Sequence, residues 1–388
     1  MVNALQFLSN GKDDHESVCQ FFSSIEVEES VDLPGAMEIT LPLNATNARD
    51  LTFLASSTIQ PYANISLVAN TGIGSSECIF DGYVLSHKVH LETGTTNSTV
   101  KVWCQDASWL LNLQERVHTW ENMTDREVAE EIFKRYDIAP AEENRNLGED
   151  DDTHHYAEDK HILVQRESDM QLLRRLARRT GKFCRVFCKD NSNKRYGYFA
   201  GPNLEAAPAV ALILNPARIA NVYALDFEWD VARPYEVGAD QSFLHTTGVE
   251  SFFNLDAASK DPSGLKLLEA RSMAEFLQPQ FVRVRLDADY APNALLTTVV
   301  DSQQELALRA RSMLREAGFF VKCKGEADVA QLKAVLRAGM IVDIQGAGSI
   351  HSGKYYVWSV RHSIGPHNHK MNFVLVRNAV GAPPPGGV

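Results

Sequence analysis

A change of hydrophobic period limits the fold more than any other feature. From Val18 to Val102 apolar and polar residues alternate in short runs broken by Asn, Gly, Ser and Thr. Ser24-Ile25-Glu26-Val27-Glu28, Met37-Glu38-Ile39-Thr40-Leu41 and Asn64-Ile65-Ser66-Leu67 each keep period two, the mark of half-buried strands. Glu77 to Leu91, the polar stretch Glu92 to Asn97, and Ser98 to Gln105 then read as one long hairpin. Together these runs predict an antiparallel barrel or sandwich.

Helical spacing takes over after Asp106. Thr124-Asp125-Arg126-Glu127 is a capping-box sequence, followed by Val128, Ala129, Ile132, Phe133 and Tyr136 on one helical face. Ser168-Asp169-Met170-Gln171 repeats the device before Leu172, Leu173, Leu176 and Ala177, with Gly181 placed for a left-handed cap. Between them, Ala139 to Lys160 carries Glu142, Glu143, Glu149, Asp150, Asp151 and Asp152 and is expected to be a solvated loop.

Strand patterns return at Phe183 to Cys188, Tyr196 to Phe199, Ala211 to Leu214 and Val222 to Val231. A looser segment runs from Arg233-Pro234 to Pro262, then a mixed helical stretch from Leu265 to Leu277. Asp301 to Glu305 opens another helix, with Leu306, Ala310, Met313, Leu314 and Ala317 as its apolar face and Gly318 as its stop. Strands fill Phe319 to Val376, and the Pro- and Gly-rich residues 381–388 read as a flexible tail.

The 388 residues, 44% apolar and 23% charged, suffice for two or three compact domains. A formal net charge of −12 argues against binding driven by a phosphate backbone, and no helix with a basic face suggests sequence-specific DNA reading. Cys19, Cys78, Cys104, Cys184, Cys188 and Cys323 sit mostly in apolar stretches and read as small core residues, not zinc ligands. Met1 to Phe7 lacks a leader pattern, and no apolar run approaches the ~20 residues of a membrane span. Synthesis in the cytoplasm is the expectation.

Candidate chemistry is sparse. His154-His155 with His161, and His367-Asn368-His369, are the histidine groups with suggestive spacing. On a strand, the last pair would point to one face and could meet symmetry copies at a metal, but exposed turn residues are the preferred reading. The acidic clusters lie in polar loops without the apolar surroundings that shift a pKa. Gly346-Ala347-Gly348-Ser349 resembles a phosphate loop only loosely, and is expected to be a turn between strands Met340 to Ile344 and Lys354 to Val360 with no helix behind it. No catalytic, cofactor-binding or metal residue is assigned.

Three stretches resemble the late control protein D family of contractile-tailed phages, itself similar to the hub half of type VI secretion VgrG. The first runs from Cys78-Ile79-Phe80-Asp81-Gly82-Tyr83-Val84 through the hairpin to Val102-Trp103-Cys104-Gln105-Asp106. The second pairs Met123 to Ile132 with His161 to Gly181. The third comprises Leu336 to Ile344, Gly353 to His362 and Phe373 to Asn378.

The resemblance implies an α+β, β-rich chain with two tube-protein-like antiparallel β-barrel domains and a small helical insert. Residues 1–110 with 196–235 would form the first barrel, 111–195 the insert, 236–380 the second barrel with its helix, and 381–388 the tail. It further implies a non-enzymatic baseplate hub, a homotrimer between a sixfold inner tube and a threefold spike, lining the channel and touching other baseplate subunits. After synthesis the chain would enter a phage tail or injection particle. VgrG proteins continue into a spike, whereas this sequence stops at Val388, so the spike is expected to be a separate polypeptide. A baseplate-borne cell-wall hydrolase and a carbohydrate- or receptor-binding β-protein, the latter suggested by Trp103, Trp109 and Trp120, are the alternatives.

Overall fold

The structure is a computed structural model. It describes residues 5–9, 12–13, 22–43, 59–70, 76–93, 97–146, 162–189, 194–214, 219–232, 236–240, 250–254, 271–272, 293–297 and 303–381. Cys19, His154, His155, His161, the run 149–152 and the tail 382–388 lie outside the described residues.

The N-terminal strands are β1 (Leu5–Ser9), β2 (Lys12–Asp13), β3 (Ser24–Ser30), β4 (Ala36–Pro42), β5 (Asn64–Asn70), β6 (Ser76–His90) and β7 (Thr99–Asp106). The alternation that predicted them is the burial pattern: Ile25, Val27, Met37, Ile39, Val100, Val102 and Cys104 are all buried. β6 and β7 form the expected long hairpin, with Gly82 opposite Asp106 and His90 opposite Thr99.

The insert comprises β8 (Glu115–Trp120), α1 (Asp125–Arg135), β9 (Ala139–Pro140), α2 (Glu143–Asn146), β10 (Leu163–Ser168), α3 (Asp169–Thr180), β11 (Phe183–Cys188) and β12 (Arg195–Ala200). Both capping boxes form as read, and Gly181 takes the left-handed conformation with φ 65°. The start of the supposed acidic loop is instead ordered. β9 pairs in parallel with Tyr196 and Gly197, and Asn144 is buried, donating to the Gly197 carbonyl (2.8 Å) and accepting from the Phe199 amide (2.7 Å). One side chain thus occupies two backbone groups, which charge content along the sequence does not reveal.

Further on come β13 (Val210–Ile213), β14 (Ala224–Trp229), β15 (Glu236–Asp240), β16 (Glu250–Asn254), β17 (Arg271–Ser272), β18 (Asn293–Thr297), α4 (Gln303–Gly318), β19 (Val321–Asp328), α5 (Val329–Leu332), β20 (Ile341–Gln345), α6 (Gly348–His351), β21 (Gly353–Ile364), β22 (His369–Arg377) and β23 (Ala379–Val380). Arg271–Ser272, inside the expected helical stretch, pairs as a strand with β23; the rest of that stretch lies outside the described residues. On α4, Ala310, Leu314 and Ala317 are buried as read, but Met313 is 38% exposed. The helix is rolled so that Ser312 meets Gly181, where a Cβ would lie 2.2 Å from the Ser312 hydroxyl, and this turns Met313 outward. The loop before β21 contains the four-residue helix α6 in place of a simple turn.

A 13-stranded sheet, ordered β14-β19-β22-β21-β3-β4-β7-β6-β5-β1-β2 with β20 bridging β21 and β13, runs through both halves. The halves join where β3 pairs antiparallel with β21, Ile25 opposite Ile364 and Ser30 opposite Ser359. β13 and β14, grouped with the first barrel from sequence, hydrogen-bond instead to β20 and β19 of the C-terminal half. Local alternation defines a strand but not its partner. One continuous core holds Ile25, Val27, Val102, Leu212, Phe373 and Leu375, and the insert packs a separate core around Ile132, Phe133, Leu172, Leu176 and Phe199. Among the described residues no helix is long and apolar enough to cross a membrane.

Candidate functional site

The main concentration of buried charge lies where β3, β6 and β11 approach the segment after α5. On β3 the inward phase Ile25, Val27 continues to Glu29, which places a carboxylate where the pattern calls for an apolar residue. Arg337 meets it in a bidentate pair, Nε to Oε2 at 2.8 Å and Nη2 to Oε1 at 3.1 Å, the planar fork geometry that guanidinium favours. The Ala338 amide adds a donor at 3.3 Å, and Arg185 of β11 approaches Oε1 at 3.4 Å.

The remaining donors of Arg337 reach the Cys78 carbonyl (2.6 Å) and the Cys188 carbonyl (3.2 Å), on β6 and β11. One guanidinium therefore fastens three strands from three parts of the chain. Burial raises the cost of charging Glu29, but the charges of Arg337 and Arg185 outweigh it and hold the carboxyl below its ordinary range.

Beside this staple, Asp106 at the end of β7 accepts from the Gly35 amide, and from the amide (3.0 Å) and hydroxyl of Ser108. It closes the β3–β4 turn onto the start of the insert. Burial pushes its carboxyl up to about 6, against donors that favour the charged form. Asp81 on β6 is clamped by Arg195 of β12, Nη2 to Oδ1 at 2.8 Å, while Arg195 Nη1 donates to the Tyr83 hydroxyl at 2.8 Å.

Within the insert, the fully buried Asp169 accepts from Tyr136 (2.7 Å), Gln165 (2.7 Å) and Arg135 (3.1 Å), and Gln165 accepts from the Trp120 indole (3.1 Å). Each carboxylate is met by hydrogen-bond donors, and each network joins different strands or helices. The shifts at Glu29 and Asp106 follow from structural ion pairs and burial.

The suggestive histidines separate. His367 is exposed in the turn closed by the Gly365 amide on the Asn368 carbonyl (2.9 Å), whereas His369 is buried on β22. Its partner is His362 of β21, Nδ1 to Nε2 at 3.0 Å, a residue the sequence reading missed. Residues 364 and 369 face each other across the hairpin and 362 faces 371, so 362 and 369 are diagonal neighbours on one face of the sheet. Among the described residues, no group of three or more His, Cys, Asp and Glu is placed to hold a metal. Of the tryptophans, Trp120 is buried, Trp109 stacks on Tyr62 with centroids 5.5 Å apart, and Trp103 is 38% exposed.

The buried charges tie separate chain segments together. Residues 29–195 match the family model described as phage tail baseplate hub (GPD). The match starts at Glu29 and takes in the first two motifs; the third lies beyond it. The 43 kDa tail protein of prophage MuSo2 from Shewanella oneidensis has a similar structure, at 14% identity over 97% of this chain and 99% of that one, with a TM-score of 0.65.

A tail protein from Neisseria meningitidis MC58 is similar at 12% identity over 98% of each chain, TM-score 0.62. So is the E. coli c3393 protein, described as a component of the type VI secretion system resembling T4 tail proteins gp27 and gp5, at 12% identity over 98% of this chain and 79% of that one, TM-score 0.55. No curated protein matches the chain significantly by sequence. Over residues 29–195 the family match supports the baseplate hub family read from the first two motifs, and the solved structures support a β-rich α+β fold shared with tail proteins over nearly the whole chain.

Proposed function

We propose that three copies of this chain form a ring that adapts a sixfold inner tube to a threefold spike, with the β-sheet lining the central channel. The observation that carries this reading is the single sheet running from β14 to β2 across the β3–β21 seam, held at its centre by Glu29 and Arg337. A wall that must stay in register under axial load needs such continuity more than it needs a cleft.

The two tube-like units of each subunit are the strands of residues 24–106 and, joined by their pairing, those of 210–229 with 321–377. Three subunits then present six similar units upward and three whole subunits downward, a symmetry match that uses no catalytic group. The spike docks beneath the ring, and the remaining baseplate subunits contact the ring from outside. The chain is made in the cytoplasm and then built into the tail or injection particle.

Co-expression with the tube and spike proteins of its own particle tests this role. Co-purification of both partners with the hub is expected. Failure to bind either one, or turnover of peptidoglycan by the purified chain, would replace the adaptor reading with another.

A further inference from the structure

Two cysteines beneath the Arg337 staple have no role in the hub reading. Cys78 on β6 and Cys188 at the end of β11 are 4% and 3% exposed and pack with Leu8 and Val68 in a small cluster apart from the main core. The Cys188 thiol donates to the Cys78 carbonyl at 2.9 Å, which brings its sulfur onto the backbone of Cys78 within the same small cluster. Their strands belong to different parts of the fold, the barrel hairpin and the insert. Arg337 fixes both backbones by binding both carbonyls.

A cavity of about 30 Å³ lies alongside, lined by Cys188, Ile79, Asp81, Asp106, Arg185 and Arg337. That is room for one or two molecules the size of water and for nothing larger. Cys104 and Cys323 are buried in the main core and do not line this cavity.

We propose that Cys78 and Cys188 are an oxidation site for hydrogen peroxide, which reaches Cys188 through this cavity and closes a disulfide between β6 and β11. The atoms balance in two steps. The Cys188 sulfur attacks one peroxide oxygen, the O–O bond breaks, and the other oxygen leaves as water, giving a sulfenic acid. The Cys78 sulfur then attacks Cys188, the S–O bond breaks, and the hydroxyl leaves with the Cys78 proton as a second water. Peroxide is reduced to two waters, and two thiols are oxidised to one disulfide.

Arg337, the cation beside Cys188, favours the thiolate that must attack. Burial raises the thiol's pKa more strongly, so the reaction is slow and is gated by cavity size, not by an activated nucleophile. The inference does not depend on the hub reading.

The test uses the full-length chain at neutral pH, exposed in parallel to hydrogen peroxide and to oxidised glutathione. After quenching, it is unfolded, alkylated and digested, and its peptides are weighed. The expected result is a Cys78–Cys188 linked peptide lacking two hydrogens, formed with peroxide, absent with glutathione disulfide, lost on reduction and accompanied by a higher melting temperature.

Peroxide-treated protein whose Cys78 and Cys188 still alkylate fully after unfolding would overturn the proposal, as would linkage of either to another cysteine. Equal closure by oxidised glutathione would overturn the role of the cavity. In folded Cys78→Ser protein, checked by its melting curve, peroxide should leave a Cys188 sulfenic acid that dimedone traps when the treated protein is freed of peroxide and unfolded in its presence. A folded variant without the adduct would contradict Cys188 as the first sulfur attacked.

Discussion

Arg337 and Glu29, 308 positions apart in sequence, form a buried bidentate ion pair at 2.8 and 3.1 Å, and Arg337 also holds the carbonyls of Cys78 and Cys188. Removing one partner leaves the other charge buried and unmatched. Arg337→Met should therefore lose about 3–5 kcal/mol, read from denaturant unfolding, while Glu29→Met/Arg337→Met should lose much less than the sum of the single changes. Arg337→Lys should not rescue the fold, because an ammonium cannot span both carboxylate oxygens and both carbonyls. Because the folded Glu29 carboxyl lies below its ordinary value of 4.5, its contribution is present above that pH and is lost as pH falls through the folded value.

The His362–His369 pair has its own pH signature. Burial lowers both imidazoles, His369 to about 4. The second histidine and Arg337 push His362 the same way, while Asp328 opposes the shift at His369. Groups held neutral in the fold stabilise it above their ordinary value of 6.5, and that stability falls as pH drops toward their folded values. The slope should approach about 1.4 kcal/mol per pH unit for each histidine. Unfolding free energies measured from pH 7 down to about 4 should show this decline, and His362→Leu/His369→Met should flatten much of it.

Gly82 marks a close approach of β6 to β7. A Cβ there would lie 2.1 Å from the Gln105 carbonyl oxygen and 2.6 Å from the Phe80 ring. Backbone cannot yield as a flexible side chain can, so Gly82→Ala should lower stability by about 1–3 kcal/mol, seen as a shifted unfolding midpoint.

Legibility follows the range of each interaction. The Phe80-Asp81-Gly82-Tyr83-Val84 motif, both capping boxes and Gly181 were readable because each is set by neighbours within a turn or a hairpin. Glu29 was not, because an alternating strand gives no sign that its next inward residue will be a carboxylate matched by Arg337. The same holds for β13 and β14, whose partners lie more than ninety positions away by register with residues 321–345. His367 and His369 shared a spacing, but the turn between β21 and β22 parts them and pairs His369 with His362. Asn144 sat in a run that charge marked as solvent-facing, and only its backbone partners in β12 disclose its role.

The two helix caps make a local comparison. Thr124 and Ser168 each accept from the third helical amide, at 3.2 and 3.3 Å, and Ser168 also donates to Asn112 at 2.8 Å. Thr124→Ala should cost about 1 kcal/mol and Ser168→Ala somewhat more, because Ser168 donates to Asn112 in another part of the insert whereas Thr124 donates within its own cap, to Glu127 at 3.1 Å. Thermal melts of the two variants, scored as separate midpoint shifts, check the order.

The stoichiometry of the assembled chain is the most direct test of a hub. Light scattering combined with electron-microscopic class averages, on the full chain alone and beside its tube and spike proteins, reads copy number and symmetry together. The account predicts three copies in a threefold ring with an open channel. A chain that stays monomeric and forms no ring even with both partners present would contradict it.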